Sequence, residues 1–234
     1  MAAELNVLCA GAVKGLAAAL QPRFESETGV RVRAQFGAVG AIRDAMRAGA
    51  PCDVLVVTDT MIDSLVASGE LQARSKLAIG RVQTAIAVLG DAARPAIGSA
   101  AELKAALLGA SALYFPDSAL STAGAHVASL LERLGIRETL ASRLRMFANG
   151  ATAMRALADS NDARAIGCTQ ATEIRAAVGI AVVGALPPPF ALATVYSAAI
   201  ATSSGADELG RRFIALLAGA ASLPLGIACG FDAS

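Results

Sequence analysis

Short apolar runs alternate with amphipathic stretches along almost the entire chain, and that alternation limits the fold more tightly than any single motif. Leu5 to Ala10 is an apolar run, followed by an amphipathic stretch from Val13 that continues past Pro22 toward Glu27. Val30 to Phe36 alternates as a strand, Val39 to Ala48 has helical spacing, Asp53 to Val57 reads as a buried strand, and Met61 to Ser68 as a helix. Three strand-then-helix units in succession predict a mostly parallel sheet covered by helices on both faces.

The second stretch repeats the style. Strands are expected at Val82–Leu89, Ala112–Phe115, Leu144–Phe147, Ala165–Thr169, Ile180–Val183 and Thr194–Thr202. Helices are expected at Ser99–Leu108 with Ser99 as cap, Thr122–Leu134, Ala151–Asp159 and Ala206–Ala218 with Gly219 as the stop. The tail from Ala220 to Ala228 has room for one more short helix, although Pro224 interrupts it. No short-period repeat is visible, so a solenoid is not expected.

The junctions between strands and helices carry the functional signal. They are small and poor in charge: Ala10-Gly11-Ala12, Gly37 to Gly40, Thr58-Asp59, Ser121 to Gly124, and Asn149-Gly150-Ala151. In an open α/β sheet, ligands bind beyond the carboxyl ends of the strands. Small residues there let backbone approach a ligand, and free N–H groups at a helix start favour negative charge. One such turn is only a tight turn; their recurrence points to an anion site with little need for charged side chains.

Composition sets outer bounds. A chain of 234 residues fits either one large α/β domain or two lobes. Hydrophobic residues make up 55 %, so a sizeable core is available, whereas 4 % aromatics leave no stacking platform for bases or sugars. The net charge of +1 gives no electrostatic case for nucleic acid or an acidic membrane surface. Lys14 and the Pro187-Pro188-Pro189 run cut the apolar stretches too short for a span, so no direct membrane insertion is expected. Cys9, Cys52, Cys168 and Cys229 form no CxxC pair and His126 is the single histidine, so no metal site is expected; the cysteines read as small hydrophobes. No cofactor is implied. The N-terminus lacks a basic segment before an apolar one, which reads either as a cytoplasmic protein or as a periplasmic one whose leader has been removed.

The ordered series Leu5 to Leu20, Phe36 to Arg43 and Ala48-Gly-Ala-Pro-Cys-Asp-Val-Leu-Val-Val-Thr58-Asp59 resembles the molybdate-binding branch of the periplasmic solute-binding proteins. The likeness continues through Leu131 to Ile136, Ile166-Gly-Cys-Thr-Gln170 and Thr194-Val-Tyr-Ser197. The resemblance implies the α/β type II periplasmic-binding fold: two lobes, each a mixed sheet flanked by helices, with the ligand in a cleft between them. On this reading residues 1–82 and 195–234 form the first lobe and 83–194 the second, with crossovers near Val82–Val88 and Pro187–Tyr196. It further implies a monomer that binds a small anion and delivers it to the membrane subunits of an ABC transporter. Molybdate receptors of this kind use serine hydroxyls and a tyrosine at positions that look like Gly11, the Ala38-Val39-Gly40 turn and Gln170 here. The missing hydroxyls shift the expectation from molybdate toward a di- or tricarboxylate. The chain also resembles a divergent branch that includes aconitate isomerase, which makes a cofactor-independent isomerase the alternative.

Among single residues, Arg81 stands before the strand at Val82 and is expected to clamp a carboxylate with its planar fork; the plain alternative is a solvated arginine. Ser121 and Thr122 precede a helix and share its N–H groups with any ligand. Gln170 is expected either to donate to an oxyanion or to cap the next helix. Thr58 is the preferred ligand of its pair, with Asp59 capping the helix that follows. Tyr196 reads as packing before contact. An isomerase needs a group for proton transfer, and His126 and Tyr196 are the few available. No catalytic residue is assigned.

Overall fold

A computed structural model describes residues 4–233; Met1, Ala2 and Ala3, on which the leader reading partly rests, and Ser234 lie outside the described residues. The chain begins β1 (Glu4–Ala10), α1 (Lys14–Thr28), β2 (Arg31–Gly37), α2 (Val39–Arg47), β3 (Val54–Thr58), α3 (Asp59–Ala67) and β4 (Leu77–Leu89). It continues α4 (Ala100–Gly109), β5 (Leu113–Pro116), α5 (Thr122–Arg133), α6 (Arg137–Leu140), β6 (Leu144–Phe147), α7 (Gly150–Asp159), β7 (Ile166–Gln170), α8 (Ala171–Arg175) and β8 (Ile180–Ala185). It closes with β9 (Ala193–Ile200), α9 (Asp207–Ala218) and α10 (Leu223–Cys229). Two compact units result, one holding the residues up to Val82 and from Thr194 onward, the other Gln83–Ala193.

In the first unit the strand order is β2-β1-β3-β9, with the first three parallel and β9 antiparallel to β3. Every residue of β3 is buried, as expected for a Val-rich strand covered on both faces. Helix α1 buries Leu16, Ala17, Leu20 and Phe24, one stripe at helical spacing, and Phe24 meets Phe213 of α9 edge to face at 5.2 Å. It runs through Pro22 and stops where Gly29 takes the left-handed conformation at φ 69°, which a side chain rarely tolerates.

In the second unit β4 is antiparallel to β7 and β8, while β5 runs parallel to β6 and β7. Alternation along β4 sorts its side chains to two faces. Ile86 and Val88 join Leu103, Leu107, Phe115, Val127 and Leu130 under α4 and α5. Ala85 and Ala87 join Ala153, Met154, Leu157 and Ile174 under α7 and α8. Each large side chain so buried contributes about 1.5–3 kcal/mol.

The elements differ from the sequence reading mainly at their ends. β4 starts at Leu77 rather than Val82, because its first five residues are exposed or half-buried and lack apolar alternation. α3 starts at Asp59, two residues before the expected Met61. α6 and α8 are too short for helical periodicity to reveal. All four cysteines are free; Cys9 and Cys168 are buried, Cys52 and Cys229 half-buried, and burial pushes the Cys168 thiol up to about 12. Among the described residues no single helix is long and apolar enough to cross a membrane.

Candidate functional site

Register fixes what meets at the carboxyl edge of the first unit. Ala10 lies opposite Gly37, Cys9 opposite Val56, and Thr58 opposite Tyr196. One residue beyond Ala10 and Gly37 come Gly11 and Ala38, so Gly11, Ala38, Thr58 and Tyr196 share one row across the sheet. The residue before each helix there has nearly the same extended backbone: Ala10 at φ −60°, ψ 140°, Ala38 at −63°, 148°, and Thr58 at −63°, 146°. None of these three helix starts receives a side-chain cap. Alanine at a cap position forgoes about 1 kcal/mol that Ser, Asp or Asn would supply. The N–H groups at the starts of α2 and α3 and of the turn before α1 therefore stay available to an outside acceptor. Thr58 is buried at 6 % exposure, its Oγ1 only 3.5 Å from Oγ1 of Thr60.

Lys14, the first residue of α1, is exposed, with Nζ 5.7 Å from the centre of the Phe36 ring. A cation at a helix N-terminus opposes the dipole, so this lysine is not there to stabilise α1. Asp59 departs from expectation. It is the first helical residue of α3 and its side chain makes no cap. Its carboxylate accepts from Lys76 Nζ at 2.9 Å and from Ser197 Oγ at 2.5 Å, and these two bonds hold its pKa below the usual carboxylate range. Lys76 also reaches Asp63 at 2.6 Å.

Arg81 is likewise not the free clamp the sequence suggested. Its Nε donates to Asp232 Oδ2 at 2.7 Å, and the Asp232 N–H donates to the Arg81 carbonyl at 2.8 Å. The pair ties β4 to the segment after α10 and directs the guanidinium toward a carboxylate of the chain itself.

In the second unit the carboxyl ends of β5, β6 and β7 share an edge, Pro116 opposite Phe147 and Tyr114 opposite Gly167. Ser121 caps α5, its Oγ accepting from the Gly124 N–H at 3.3 Å, and Thr122 is the first helical residue. A Cβ on Gly124 would overlap the carbonyls of Pro116 and Asp117, so glycine is what lets α5 start this close to the strand end. Gln170, 2 % exposed, ends β7 and stands before α8 without capping it; its φ −63°, ψ 136° matches the three uncapped starts of the first unit. His126 Nε2 lies 2.8 Å from the Phe190 carbonyl, which only a protonated Nε2 can satisfy.

The Asn149-Gly150-Ala151 junction, expected to be open, is filled from within. The Asn149 side chain accepts from the Thr152 N–H at 2.9 Å. The buried Glu173 carboxyl accepts from Thr169 Oγ1 at 2.6 Å and from the N–H groups of Ala151, Gln170 and Gly150. Burial pushes the Glu173 pKa up against these bonds. A Cβ on Gly150 would overlap Glu173 and Thr169. Sequence reasoning passed over Glu173, yet a signal was present. It is the third residue of α8, where a glutamate can reach back to the N–H of the preceding cap residue, here Gln170. Ser197 and Lys76 gave no such signal, because strand pairing and a long connection bring them to Asp59.

Two α/β units with helix starts along strand carboxyl edges place the molecule in the type II periplasmic-binding class. The periplasmic molybdate-binding protein of Azotobacter vinelandii superposes with a TM-score of 0.78 at 19 % identity, covering 97 % of this chain and 98 % of that one. The sulfate-binding protein SubI of Mycobacterium tuberculosis gives 0.75 at 16 %, covering 98 % and 86 %. Residues 5–231 match the family model described as bacterial extracellular solute-binding protein, and the chain belongs to that family. A curated relative, the aconitate isomerase of a Pseudomonas species, is 29 % identical over 220 residues, 92 % of this chain and 82 % of the relative.

Proposed function

We propose that this protein is a solute-binding component that takes up a small anion in the periplasm for an ABC transporter. The carrying observation is that three neighbouring helix starts, after Ala10, Ala38 and Thr58, have no side-chain cap, in one unit of a solute-binding fold. Backbone N–H groups aligned with helix dipoles bind anions without a formal charge. Lys14, three residues beyond Gly11 at the start of α1, supplies a positive charge for this anion, and Arg81, engaged by Asp232, is a secondary contact. The same reading assigns Val39, Ser121, Thr122, Gln170 and Tyr196 as ligand contacts or their direct supports. The absence of hydroxyls at Gly11 and Ala38 favours di- and tricarboxylates over molybdate and tungstate. Calorimetry with molybdate, sulfate and a panel of di- and tricarboxylates is the test. Carboxylates should bind more tightly than molybdate; submicromolar molybdate binding would show that backbone amides suffice, and no binding by any of these anions would sink the proposal.

The likeness to an aconitate isomerase over 92 % of the chain favours a second reading, in which the bound tricarboxylate is isomerised by proton abstraction and return. Asp59 is a weak base when held by Lys76 and Ser197, and one ring nitrogen of His126 faces a carbonyl, so both are poorly prepared for that task. Proton NMR of cis- and trans-aconitate with the protein in deuterium oxide decides it. Interconversion with solvent deuterium incorporated establishes the enzyme; unchanged spectra at saturating protein leave the receptor.

A further inference from the structure

The second unit has a groove that neither the anion reading nor the family accounts for. It has a volume of about 320 Å³ and lies where β7 begins, where α4 leads into β5, and beside the later half of β4. That is the amino end of β7, whereas Gln170 is at its carboxyl end, four residues or about 13 Å away. Its walls are apolar and made roomy by small residues, with Val88, Ala105, Ala110 and Ile166 among them, and Arg94 and Arg164 stand at its rim.

The two arginines matter because they stand together beside an apolar groove. Arg23, Arg33, Arg47, Arg81 and Arg137 all face a carboxylate, and Arg143 and Arg145 donate to carbonyls. Arg94 and Arg164 have no ion pair or side-chain hydrogen bond among the described residues. Arg31, Arg74, Arg155, Arg175 and Arg212 also lack an ion pair or side-chain hydrogen bond among the described residues but do not line the groove. The neighbouring Asp162 accepts from the Arg164 backbone N–H at 2.9 Å, and its carboxylate is close enough to the Arg164 guanidinium for the charges to attract, without a hydrogen bond between the two side chains. An apolar floor with planar cationic forks at the mouth complements a molecule with a hydrocarbon body and a carboxylate head. The volume is near the lower limit of small-molecule pockets, about 300 Å³.

We propose that this groove is a second binding site, for a short-chain organic carboxylate whose hydrocarbon part lies against Ala105, Ala110 and Ile166 and whose carboxylate is held by Arg94 and Arg164. The site is separate from the row at Gly11, Ala38 and Thr58, so ligands at the two are detected independently.

The test uses the full chain and records amide chemical shifts during titration with sodium hexanoate, with hexan-1-ol and sodium sulfate as comparisons. Saturable shifts from hexanoate in the millimolar range should centre on residues 93–95, 105–110 and 163–166, with weaker responses to the alcohol and to sulfate. The double variant Arg94→Gln/Arg164→Gln should weaken hexanoate binding roughly ten- to a hundredfold. Ala105→Leu, at an exposed helix position, should block the groove with the arginines intact. Unliganded melting temperatures check that each variant is folded, and the single arginine variants replace the double if it is not. Equal binding of hexanol and hexanoate overturns the carboxylate assignment, and equal binding of sulfate overturns the hydrocarbon part. Shifts mapping elsewhere, no saturable binding, or insensitivity to all these variants overturns the site.

Discussion

Glu173 performs inside the second unit the service that a bound anion performs at an open helix start. Its carboxyl takes the N–H groups of Gly150 and Ala151, and only a glycine at 150 leaves room for it. Gly150→Ala should therefore destabilise the protein by about 1–3 kcal/mol or more through overpacking, measured by urea unfolding. The pH dependence has a definite sign. Burial raises the folded pKa of Glu173 above the ordinary 4.5, so the folded state holds that proton more tightly. The resulting stability is complete below the ordinary pKa and is lost as pH rises through the raised one. Glu173→Gln cannot ionise, so wild type should lose stability relative to it as pH rises above the ordinary carboxylate range. A difference that stays constant with pH would mean that the carboxyl is ionised and stable where it lies. Lys14 gives the complementary case. Lys14→Gln should weaken anion binding several-fold while raising unliganded stability by about 0.3–1 kcal/mol, because an unfavourable dipole interaction is removed. A loss of both would make Lys14 a structural residue.

At the scale of elements, α1 does more than cover a sheet face. β2 is the edge strand of the first unit, and an open edge invites pairing with another chain. Glu25 Oε1 accepts from the Val32 N–H at 2.8 Å, Gln21 Nε2 donates to the Val32 carbonyl at 3.1 Å, and the two side chains join at 2.9 Å. They occupy the N–H and carbonyl of Val32, near the start of the strand, which a new strand would use. Gln21→Ala/Glu25→Ala should increase the rate of aggregation seen by light scattering at temperatures below the melting transition; an unchanged rate would show that the exposed Arg31 and Arg33 protect the edge by themselves. Strand and helix alternation was legible because burial imposes its period on residues such as Leu5 to Ala10, Val54 to Val57 and Ala153 to Leu157. The first half of β4 was not legible, since Leu77 to Arg81 are exposed or half-buried and show no apolar alternation.

At the scale of the molecule, the two units differ in how the chain builds them. The second is one continuous segment, 83–193, with core clusters on both faces of its sheet. The first needs two segments, because β9 supplies the antiparallel partner of β3 and Phe213 of α9 packs on Phe24 of α1. Expressed alone, 83–193 should unfold cooperatively by circular dichroism, whereas 1–82 should remain largely unfolded until 194–234 is added. A folded 1–82 fragment would show that β9 and α9 are dispensable.

The sequence alone determined the class of fold and the small, charge-poor character of the junctions, because both follow from local periodicity and local composition. It also carried the family resemblance, which rests on residues in order along the chain. Only tertiary structure decided which junctions are open. Ala38 and Asn149 both precede a helix in the sequence, yet one start is left uncapped and the other is filled by Asn149 and by Glu173, a carboxyl from the next β-α unit. It was likewise tertiary structure that gave Arg81 to Asp232, 151 residues away, and Asp59 to Ser197, 138 residues away. Charges and hydrogen-bonding groups are satisfied by whatever the fold brings within about 3 Å, and local pattern carries no record of partners that distant.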